Sequence, residues 1–341
     1  VNYHPNYIDL RENIMEKQED FSGAILIREN GETILESGYG YGNKSELIPN
    51  TIDTKFGIAS GCKLFTAIAI CQLVESGTIS FDTYLKDCLS ISFRNFDPNI
   101  TVGHLLTHSS GIPDYFDEEV MDDFSELWKN RPMYNIKSPK DFLPMFKDGN
   151  MDFPPGEKFK YNNAGFIVLG LIVEENTGMK FTEYVEKNIF KPCGMLDTGY
   201  FLLDQLPKGC AYGYVRDESG NWKTNIYSLP IIGGPDGGAF TTAKDLSKLW
   251  EAILENKVLS KEIAEEMLKP HIQVGGDFYY GYGMWIIKEG DGIFKYYIMG
   301  EDPGVSMMSS VYPSRNVQIT AIGNTDVGIW DIAKEIQELI K

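Results

Sequence analysis

The chain is poor in cysteine and histidine, and it has no long apolar run. It contains five cysteines and four histidines among 341 residues. An odd number of cysteines without metal-like spacing predicts reduced core residues, not a disulfide framework or a zinc site. The longest clean apolar run, residues 166–173, is far shorter than the roughly 20 residues that a membrane-spanning helix needs. We therefore expect neither a metal site nor a membrane span.

Positive charge is also scarce. The 31 Lys and Arg residues face 49 Asp and Glu residues, which leaves a formal net charge of −18 at pH 7. This charge repels nucleic acid and anionic lipid, so neither is an expected partner. The first seven residues have neither a basic start nor an apolar segment, so we expect no secretory signal in the sequence given. Reduced cysteines favour a cytoplasmic setting, but the compartment and the oligomeric state stay open.

The remaining composition is that of a folded protein. Hydrophobic residues make up 43% of the chain and charged residues 23%, which is ordinary for globular proteins. The length is roughly twice that of a typical domain. We therefore expect one large two-lobed domain or two domains.

Strand-like patterns cluster at both ends of the chain, and helical patterns fill the middle. Short β-rich runs occupy residues 23–28, 32–38, 282–287, 294–299, 305–312 and 317–322. Helical patterns occupy residues 7–17, 64–75, 164–175, 181–188, 242–255, 261–268 and 329–340. This order predicts an α+β fold, with an antiparallel sheet built from both chain ends, flanked by terminal helices, and a mainly helical insertion.

The same order predicts the domain organisation. The sheet lobe comprises residues 1–60 and 235–341, and the mainly helical lobe comprises residues 61–234. We expect the active site in the cleft between the two lobes.

One Ser-x-x-Lys pattern, from Ser60 to Lys63, opens the most apolar helical segment. At this spacing the two side chains share a helix face, and a serine in the first turn lies near the positive end of the helix dipole. A serine hydroxyl becomes a nucleophile when a nearby base takes its proton, and burial favours a neutral lysine amine that can do so. The four residues alone leave an alternative open, in which Ser60 caps the helix and Lys63 is an exposed charge.

A second polar element, Tyr161 with Asn163, lies just before another apolar helical segment. Two residues apart in an extended segment, the phenol and the amide would face one cleft. A phenol can transfer protons, and an amide can hold a substrate carbonyl. The alternative is a buried phenol and a helix cap.

Five segments occur in an order that matches a known family. They are Ser-Gly-Cys-Lys at residues 60–63, Thr-Val-Gly-His-Leu-Leu-Thr-His-Ser-Ser-Gly-Ile-Pro-Asp-Tyr at 101–115, Pro-Gly at 155–156 with Tyr-Asn-Asn at 161–163, Gly-Gly-Pro-Asp-Gly-Gly at 233–238, and Tyr-Gly-Tyr-Gly-Met-Trp at 280–285. Together they resemble the serine β-lactamase and penicillin-binding protein superfamily, in particular its class C β-lactamases, D-alanyl-D-alanine carboxypeptidases and related esterases.

The resemblance implies a role for each matching residue. Ser60 would be the acyl-accepting nucleophile, Lys63 and Tyr161 the proton-transfer pair, and Asn163 a contact to the substrate amide or carbonyl. The backbone N–H groups of Ser60 and Glu301 would form the oxyanion hole. No metal or organic cofactor is implied.

The chain departs from the family pattern on the strand that lines the cleft. The family has a Lys or His, then any residue, then Gly; in register with Pro303-Gly304, the matching residues here are Ile298, Met299 and Gly300. The missing cation would bind a substrate carboxylate. Ile298 therefore argues against recognition of penicillins and of a terminal D-alanine, while acyl transfer needs only the remaining groups.

These observations predict a serine hydrolase that forms an acyl-enzyme on Ser60 with a small-molecule or peptide substrate. A β-lactam or a D-alanyl peptide is the substrate that the resemblance implies. An esterase or amidase without carboxylate recognition is one alternative. A non-catalytic sensor that keeps the fold is the other.

Three further features have simpler interpretations. His104 and His108, at i and i+4 on a predicted short helix, lack the Glu and the third ligand of a zinc site. Cys62 turns to another helix face than Ser60 and Lys63, which favours a buried filler over a thiol nucleophile. The acidic stretch at residues 114–126 favours a solvated surface, with a cleft border that attracts cations as the alternative.

Overall fold

The sheet is the largest element of the structure, a computed structural model that describes residues 21–326 and 329–340. Eight antiparallel strands follow the order β2-β1-β14-β13-β12-β11-β10-β9. The strands of this sheet are β1 (Gly23–Glu29), β2 (Glu32–Tyr39), β9 (Ile272–Gly275), β10 (Phe278–Tyr280), β11 (Trp285–Glu289), β12 (Gly292–Asp302), β13 (Val305–Tyr312) and β14 (Val317–Gly323).

Three short strand pairs complete the β-structure. They are β3 (Tyr41–Asn43) with β4 (Ile48–Pro49), β5 (Phe56–Gly57) with β8 (Phe240–Thr241), and β6 (Tyr214–Arg216) with β7 (Trp222–Thr224). The β5–β8 pair matters for function because β5 leads directly into the segment that carries Ser60.

The pairing of β1 with β14 brings both ends of the chain into one sheet. Ala24 lies opposite Ile322, and Ile27 lies opposite Ile319. The predicted α+β fold with an antiparallel sheet built from both chain ends is confirmed. The helix predicted at residues 7–17 lies outside the described residues.

The strand predicted at residues 282–287 is placed differently. Residues 281–284 form a turn, and the strands on either side are β10 and β11. Gly283 has φ +80°, and a Cβ there would lie 2.5 Å from the Cβ of Ala67 and 2.8 Å from the carbonyl oxygen of Lys63. The chain therefore turns here against the helix that follows the nucleophile, which a β-rich pattern does not reveal.

Helices fill the middle of the chain, as predicted. The α-helices are α1 (Lys63–Glu75), α2 (Leu85–Cys88), α3 (Val102–Leu106), α4 (Asn163–Thr177), α5 (Phe181–Val185), α6 (Ala243–Leu254), α7 (Lys261–Met267) and α8 (Ile329–Ile340). Short 3-10 helices occupy Ala59–Cys62, Phe124–Trp128, Met133–Asn135, Pro139–Met145 and Pro313–Arg315, and a π-helical turn occupies Glu186–Phe190.

The alternation of side chains along the strands divides the core into two parts. On one face, Ile25 and Ile27 of β1 pack with Ile332 and Ile336 of α8. On the other face, Ala24 and Leu26 belong to the main core, together with the helices α1, α4 and α6. The sheet therefore lies between α8 and the helical part of the molecule.

Helices α1 and α4 are buried on nearly every side, because their apolar residues are not confined to one stripe. The first residues of α1 and α4, Lys63 and Asn163, are therefore held by two buried helices. Among residues 21–326 and 329–340, every helix is too short or too polar to span a bilayer.

Candidate active site

Ser60 lies between β5 and α1, in the short 3-10 helix Ala59–Cys62. The residue before it, Ala59, has φ +45°, a left-handed conformation that is costly for a residue with a Cβ. The turn is closed by a hydrogen bond from the Gly61 N–H to the Ile58 carbonyl at 2.9 Å. The packed core therefore holds Ser60 on a strained turn at the edge of the cleft.

Strand β12 approaches this turn with its backbone. A Cβ on Gly300 would lie 2.2 Å from the Ile58 carbonyl oxygen and 2.9 Å from the Ser60 nitrogen. Only glycine fits at this distance. The close approach brings the next residue, Glu301, to the wall of the same cleft as Ser60.

Lys63 contacts the Ser60 hydroxyl directly. Its Nζ lies 2.9 Å from Ser60 Oγ, 2.9 Å from Asn163 Oδ1 and 3.0 Å from the carbonyl oxygen of Asp236. The side chain is only 1% exposed. The two fixed acceptors thus occupy two of the three hydrogen-bonding positions around Nζ, and the third faces the serine hydroxyl. Lys63 is not the exposed charge of the alternative interpretation.

The electrostatics of Lys63 fit a proton acceptor. Burial lowers the pKa of the Lys63 amine, and the nearby carboxyl groups of Asp236, Glu118 and Asp114 oppose this effect in part. A lower pKa raises the fraction of neutral amine at neutral pH, and a neutral amine can accept the serine proton.

Asn163 is the first residue of α4, and its neighbour Asn162 is the N-cap. The extended geometry expected for this residue is therefore wrong, because the helix begins one residue earlier than the motif indicated. The Asn163 side chain accepts from Lys63 and donates from Nδ2 to the Phe116 carbonyl at 3.1 Å. Its amide orientation is fixed by these opposite contacts, with the oxygen toward the amine.

Tyr161 lies on the other side of the lysine. Its ring centroid is 4.8 Å from Lys63 Nζ, and the ring stacks on Trp285 with centroids 6.0 Å apart. Burial and the charge of Glu118 raise the pKa of the Tyr161 phenol well above its usual value, although a hydrogen bond to Ser60 acts against this. The phenol therefore stays protonated at neutral pH and can donate a proton.

His108 supports the segment that carries Tyr161 and Asn162, a role that the motifs did not reveal. It lies beyond α3 with φ +54°, so the predicted i, i+4 arrangement with His104 on one helix is wrong. Its Nδ1 accepts from the Asn162 backbone N–H at 3.0 Å, and its ring centroid is 4.4 Å from that of Tyr161. Burial lowers the pKa of His108 well below its usual value, so the ring is neutral.

Asp114 fastens the start of α4 to the segment at residues 101–115. Its carboxylate oxygens accept the backbone N–H groups of Asn163 at 2.8 Å and of Ala164 at 2.9 Å. Burial raises the pKa of Asp114 to about 7 despite these hydrogen bonds. The matching motif contains this residue, but its contact partners lie about fifty positions away.

Asp236 closes the site from the glycine-rich segment at residues 233–238. Its backbone carbonyl accepts from Lys63, and its carboxyl accepts a short hydrogen bond from the Tyr115 hydroxyl. The Gly234 N–H donates to the Gly237 carbonyl at 2.8 Å, which closes a tight turn at the cleft. Burial raises the pKa of the Asp236 carboxyl, against the effect of Lys63.

A cavity of about 630 Å³ opens at Ser60. Asn163, Glu301 and Asp302 are among the residues that line it. Ile298, two residues before Gly300 on the same face of β12, is buried in the main core and brings no cation to the cavity wall.

Cys62 is fully buried. Its Sγ accepts from the Ala239 N–H at 3.1 Å, and burial raises the pKa of the thiol to about 12. Cys62 is therefore a buried core residue whose thiol is protonated at neutral pH. Within the part of the chain that the structure describes, no group of three or more His, Cys, Asp or Glu side chains is arranged to hold a metal ion.

The fold and this arrangement define a class, the proteins built on the serine β-lactamase and transpeptidase fold. The family model described as Beta-lactamase matches residues 10–338 of the chain. The chain belongs to this family, whose members include penicillin-binding proteins and serine hydrolases.

Two curated relatives come from Bacillus subtilis (strain 168). Penicillin-binding protein 4* is 28% identical over 295 residues, which cover 82% of this chain and 62% of that protein. The putative penicillin-binding protein PbpX is 28% identical over 311 residues, which cover 90% of this chain and 72% of that protein. The chain thus spans less than two thirds of the length of the first of these relatives.

Solved structures show the same fold. A penicillin-binding protein from Bacillus halodurans has a TM-score of 0.93 and 50% identity, covering 97% of this chain and 99% of its own. The octameric penicillin-binding protein homologue from Pyrococcus abyssi has a TM-score of 0.87 and 29% identity, covering 98% and 77%. The D-amino acid amidase from Ochrobactrum anthropi SV3, at 22% identity, covering 96% and 97%, with a TM-score of 0.77, shares the fold.

Proposed function

We propose that this protein is a serine hydrolase that transfers the acyl group of an amide or ester to Ser60 and then to water. The observation that carries the proposal is the 2.9 Å contact between Ser60 Oγ and the Nζ of buried Lys63, which Asn163 and Asp236 hold from two sides. A structural lysine would pair with a carboxylate, whereas this amine faces neutral oxygens and a hydroxyl.

The acylation step follows from these contacts. The neutral Lys63 amine takes the proton of Ser60 Oγ while the oxygen forms a bond to the substrate carbonyl carbon. The carbonyl oxygen becomes an oxyanion, and the backbone N–H groups of Ser60 and Glu301 are the proposed donors to it. When the tetrahedral intermediate collapses, the bond to the leaving group breaks.

Tyr161 is the proposed donor to the leaving group. Its phenol is protonated at neutral pH and lies beside both Lys63 and Ser60. It gives its proton to the departing amine or alkoxide and regains one from the Lys63 ammonium. Water then attacks the acyl-enzyme by the reverse of these proton transfers, which releases the acid and restores Ser60.

Ile298 favours substrates that lack a free carboxylate beside the scissile bond. The residue at this position is apolar and buried, so the site lacks the cation that would bind a substrate carboxylate beside the scissile bond. We therefore propose an amidase or esterase activity, and expect β-lactams and D-alanyl peptides with a free carboxylate to react slowly.

A labelling experiment tests the proposal. A chromogenic ester, a fluorescent penicillin and a fluorophosphonate probe are each mixed with the protein, and intact mass records any adduct. We expect burst acylation on Ser60 by the ester or the phosphonate. Ser60→Ala should lose all labelling and keep a melting temperature near that of the wild type. No labelling by any of the three probes would instead favour a non-catalytic sensor.

A further inference from the structure

Two neighbouring residues, Asp114 and Tyr115, reach the two elements that hold Lys63. The Asp114 carboxylate accepts the backbone N–H of Asn163 at 2.8 Å, at the start of α4. The Tyr115 hydroxyl donates to the Asp236 carboxyl in the glycine-rich segment. Asn163 and Asp236 each supply one oxygen that accepts from Lys63 Nζ. Adjacent positions in the sequence thus fasten both acceptors of the same amine.

The Tyr115 side chain is fixed by its own packing. It is 6% exposed, and its ring centroid lies 5.0 Å from that of Phe142 and 6.4 Å from that of Phe124. Tilted aromatic contacts at these distances are favourable and restrict the ring. The hydroxyl therefore meets the Asp236 carboxyl from a fixed direction.

Asp236 needs such an anchor because glycines surround it. A glycine-rich backbone is conformationally free, so its carbonyl groups keep a fixed direction only where other groups hold them. Thr66 Oγ1 donates to the Pro235 carbonyl at 2.5 Å, and the Tyr115 hydroxyl holds the next residue by its carboxyl. The backbone carbonyl of that residue, Asp236, accepts from Lys63 Nζ at 3.0 Å. The carboxyl end of Asp236 is thus the anchor, and its carbonyl end contacts the amine.

We propose that Tyr115 is a positioning residue for acyl transfer: its hydroxyl holds the Asp236 carboxyl, so that the Asp236 carbonyl keeps the Lys63 amine directed at Ser60. This proposal rests on the proposed acyl transfer at Ser60. Tyr115 acts on the amine through Asp236. Its role therefore differs from that of Tyr161, which lies beside the amine and is the proposed proton donor.

The same hydrogen bond affects the charge next to Lys63. Burial raises the pKa of the Asp236 carboxyl, and Lys63 and the Tyr115 hydroxyl lower it. Burial lowers the pKa of Lys63, and the Asp236 carboxylate raises it. Without the Tyr115 hydroxyl, more of the carboxyl is protonated near neutral pH, so the Lys63 pKa falls further. The other titratable groups around Lys63, which stay in place, are Cys62, His108, Asp114, Glu118, Tyr161 and Asp302.

The first test is the pH profile of chromogenic ester hydrolysis. The rate rises with pH as Lys63 loses its proton, so the acid limb of kcat/KM reports the Lys63 pKa. For Tyr115→Phe we expect kcat at the pH optimum to fall at least about tenfold and the acid limb to move to lower pH. Tyr184→Phe is the control, since the Tyr184 hydroxyl donates to Gln72 Oε1 at 3.0 Å outside the cleft, and its loss should change neither quantity.

Two results of this test would overturn the proposal. One is a Tyr115→Phe variant whose kcat at the optimum equals that of the wild type. The other is a lower kcat with an unmoved acid limb, because the hydroxyl would then support the fold without acting on Asp236.

A double-mutant cycle tests whether Tyr115 acts through the carboxyl. Asp236→Asn removes the charge and keeps an oxygen that can accept from Tyr115, so its acid limb should also lie at lower pH. The double variant should show no further shift of the limb, because no carboxyl charge is left for the hydroxyl to stabilise. A second shift of the same size in the double variant would contradict the proposal.

An NMR titration separates this proposal from the proposed function. Protein with isotope-labelled lysine amines is titrated as the wild type and as Tyr115→Phe, and Lys63→Met identifies the resonance. A lower Lys63 pKa in Tyr115→Phe supports the role of Tyr115 even if no probe acylates Ser60. If a probe acylates Ser60 while Lys63 titrates alike in both proteins, the hydrolase stands and the role of Tyr115 is wrong.

Circular dichroism checks the fold of each variant first. If Tyr115→Phe does not fold, the same titration is made on Asp236→Asn. A lower Lys63 pKa in that variant supports the network, and an unchanged one overturns it.

Discussion

Tyr161 and Lys63 divide the proton-transfer chemistry because burial shifts their pKa values in opposite directions. The pKa of the amine is lowered and that of the phenol is raised well above its usual value. At neutral pH the amine is thus the better base of the two, and the phenol is an acid. Asp236 and Asn163 keep the amine aimed at Ser60 through contacts of 3.0 and 2.9 Å.

Removal of the phenol should therefore cost turnover and not folding. For Tyr161→Phe we expect kcat for a chromogenic ester to fall by about 10²–10⁴-fold, the usual contribution of a general acid. Tyr200→Phe is the control, since the Tyr200 hydroxyl is buried and has no hydrogen-bond partner among the described residues. Stopped-flow kinetics measure kcat for both variants. Equal losses of kcat in both would mean that the Tyr161 hydroxyl has only a packing role.

Position 298 offers a test of carboxylate selection. Ile298→His places a cation-forming side chain on the same face of β12 as Gly300. We expect kcat/KM for a substrate with a free carboxylate, relative to its methyl ester, to rise about tenfold, which one charge-assisted hydrogen bond can supply. Met299→His, on the opposite face of the strand, is the control. If Ile298→His does not raise this kcat/KM ratio, a substrate carboxylate would have to bind elsewhere in the cleft.

At the scale of elements, the start of α4 and the glycine-rich turn carry Asn163 and Asp236, the two acceptors that hold Lys63. Gly170, in the middle of α4, lies against Pro235, and a Cβ there would be 2.1 Å from Pro235 Cγ. This contact positions the turn that presents the Asp236 carbonyl. Helix packing and site geometry are therefore coupled at one glycine.

An alanine at this position should disturb the contact. Gly170→Ala is expected to lower the free energy of unfolding by about 1–3 kcal/mol through overpacking. Gly165→Ala in the same helix adds a Cβ that would meet its nearest atoms at 3.7 Å, an ordinary contact, and alanine favours the helix. Urea unfolding followed by circular dichroism compares the two, and the coupling is refuted if both lose equally.

The sequence supports prediction of elements whose pattern is local. The alternation in β1, β12, β13 and β14 and the apolar runs of α1 and α4 lie within a few residues of the observed elements. Strands β9 and β10 were missed, because glycines interrupt residues 275–283 and the turn between β10 and β11 lies against α1 at Gly283. Local patterns contain no information about such contacts.

The same distinction between local patterns and long-range contacts applies to the residues of the site. The motifs drew attention to Ser60, Lys63, Tyr161 and Asn163, and the structure brings these residues together. His108 and Asp114 stand inside quoted segments, but each acts through a hydrogen bond to a residue about fifty positions away. The sequence motifs mark these side chains, but they do not show which backbone groups the side chains reach.

At the scale of the whole molecule, the raised carboxyl pKa values make stability depend on pH. The folded chain holds protons on Asp114 up to about pH 7 and on Asp302 up to about pH 8, while the unfolded chain releases both near pH 4. At these two carboxyl groups the native state binds more protons in this window, so their contribution to the free energy of unfolding falls as the pH rises through it.

We expect the Asp302 carboxyl to contribute a fall of at least about 1 kcal/mol in the free energy of unfolding between about pH 7 and pH 8.5, measured as the difference between the wild type and Asp302→Asn. The groups that set the Asp302 pKa besides burial are Asp236, Glu118 and Glu301, which raise it, and Lys63, which lowers it. Lys63 gives a slope of opposite sign from its lowered pKa in the folded chain up to its ordinary value in the unfolded chain, so the Asp302 contribution is obtained by comparing the wild type with the variant.

Two variants isolate the contribution of one carboxyl. Asp302→Asn should remove this falling contribution from the pH profile of urea unfolding. Asp291→Asn, which changes an exposed carboxyl in the turn before β12, should keep the slope of the wild type. A slope that is the same in all three proteins would mean that Asp302 titrates like a carboxyl in water.

The approach of Gly300 to the Ser60 turn joins parts of the chain that are about 240 positions apart in sequence. The nucleophile lies in the first fifth of the sequence, but the strand that would complete its oxyanion hole lies near the C-terminal end. A partly synthesised or partly refolded chain should thus contain the serine and the lysine and still be inert. Reactivity toward an active-site label would then report the last stage of assembly, and it should return later than the circular dichroism signal during refolding.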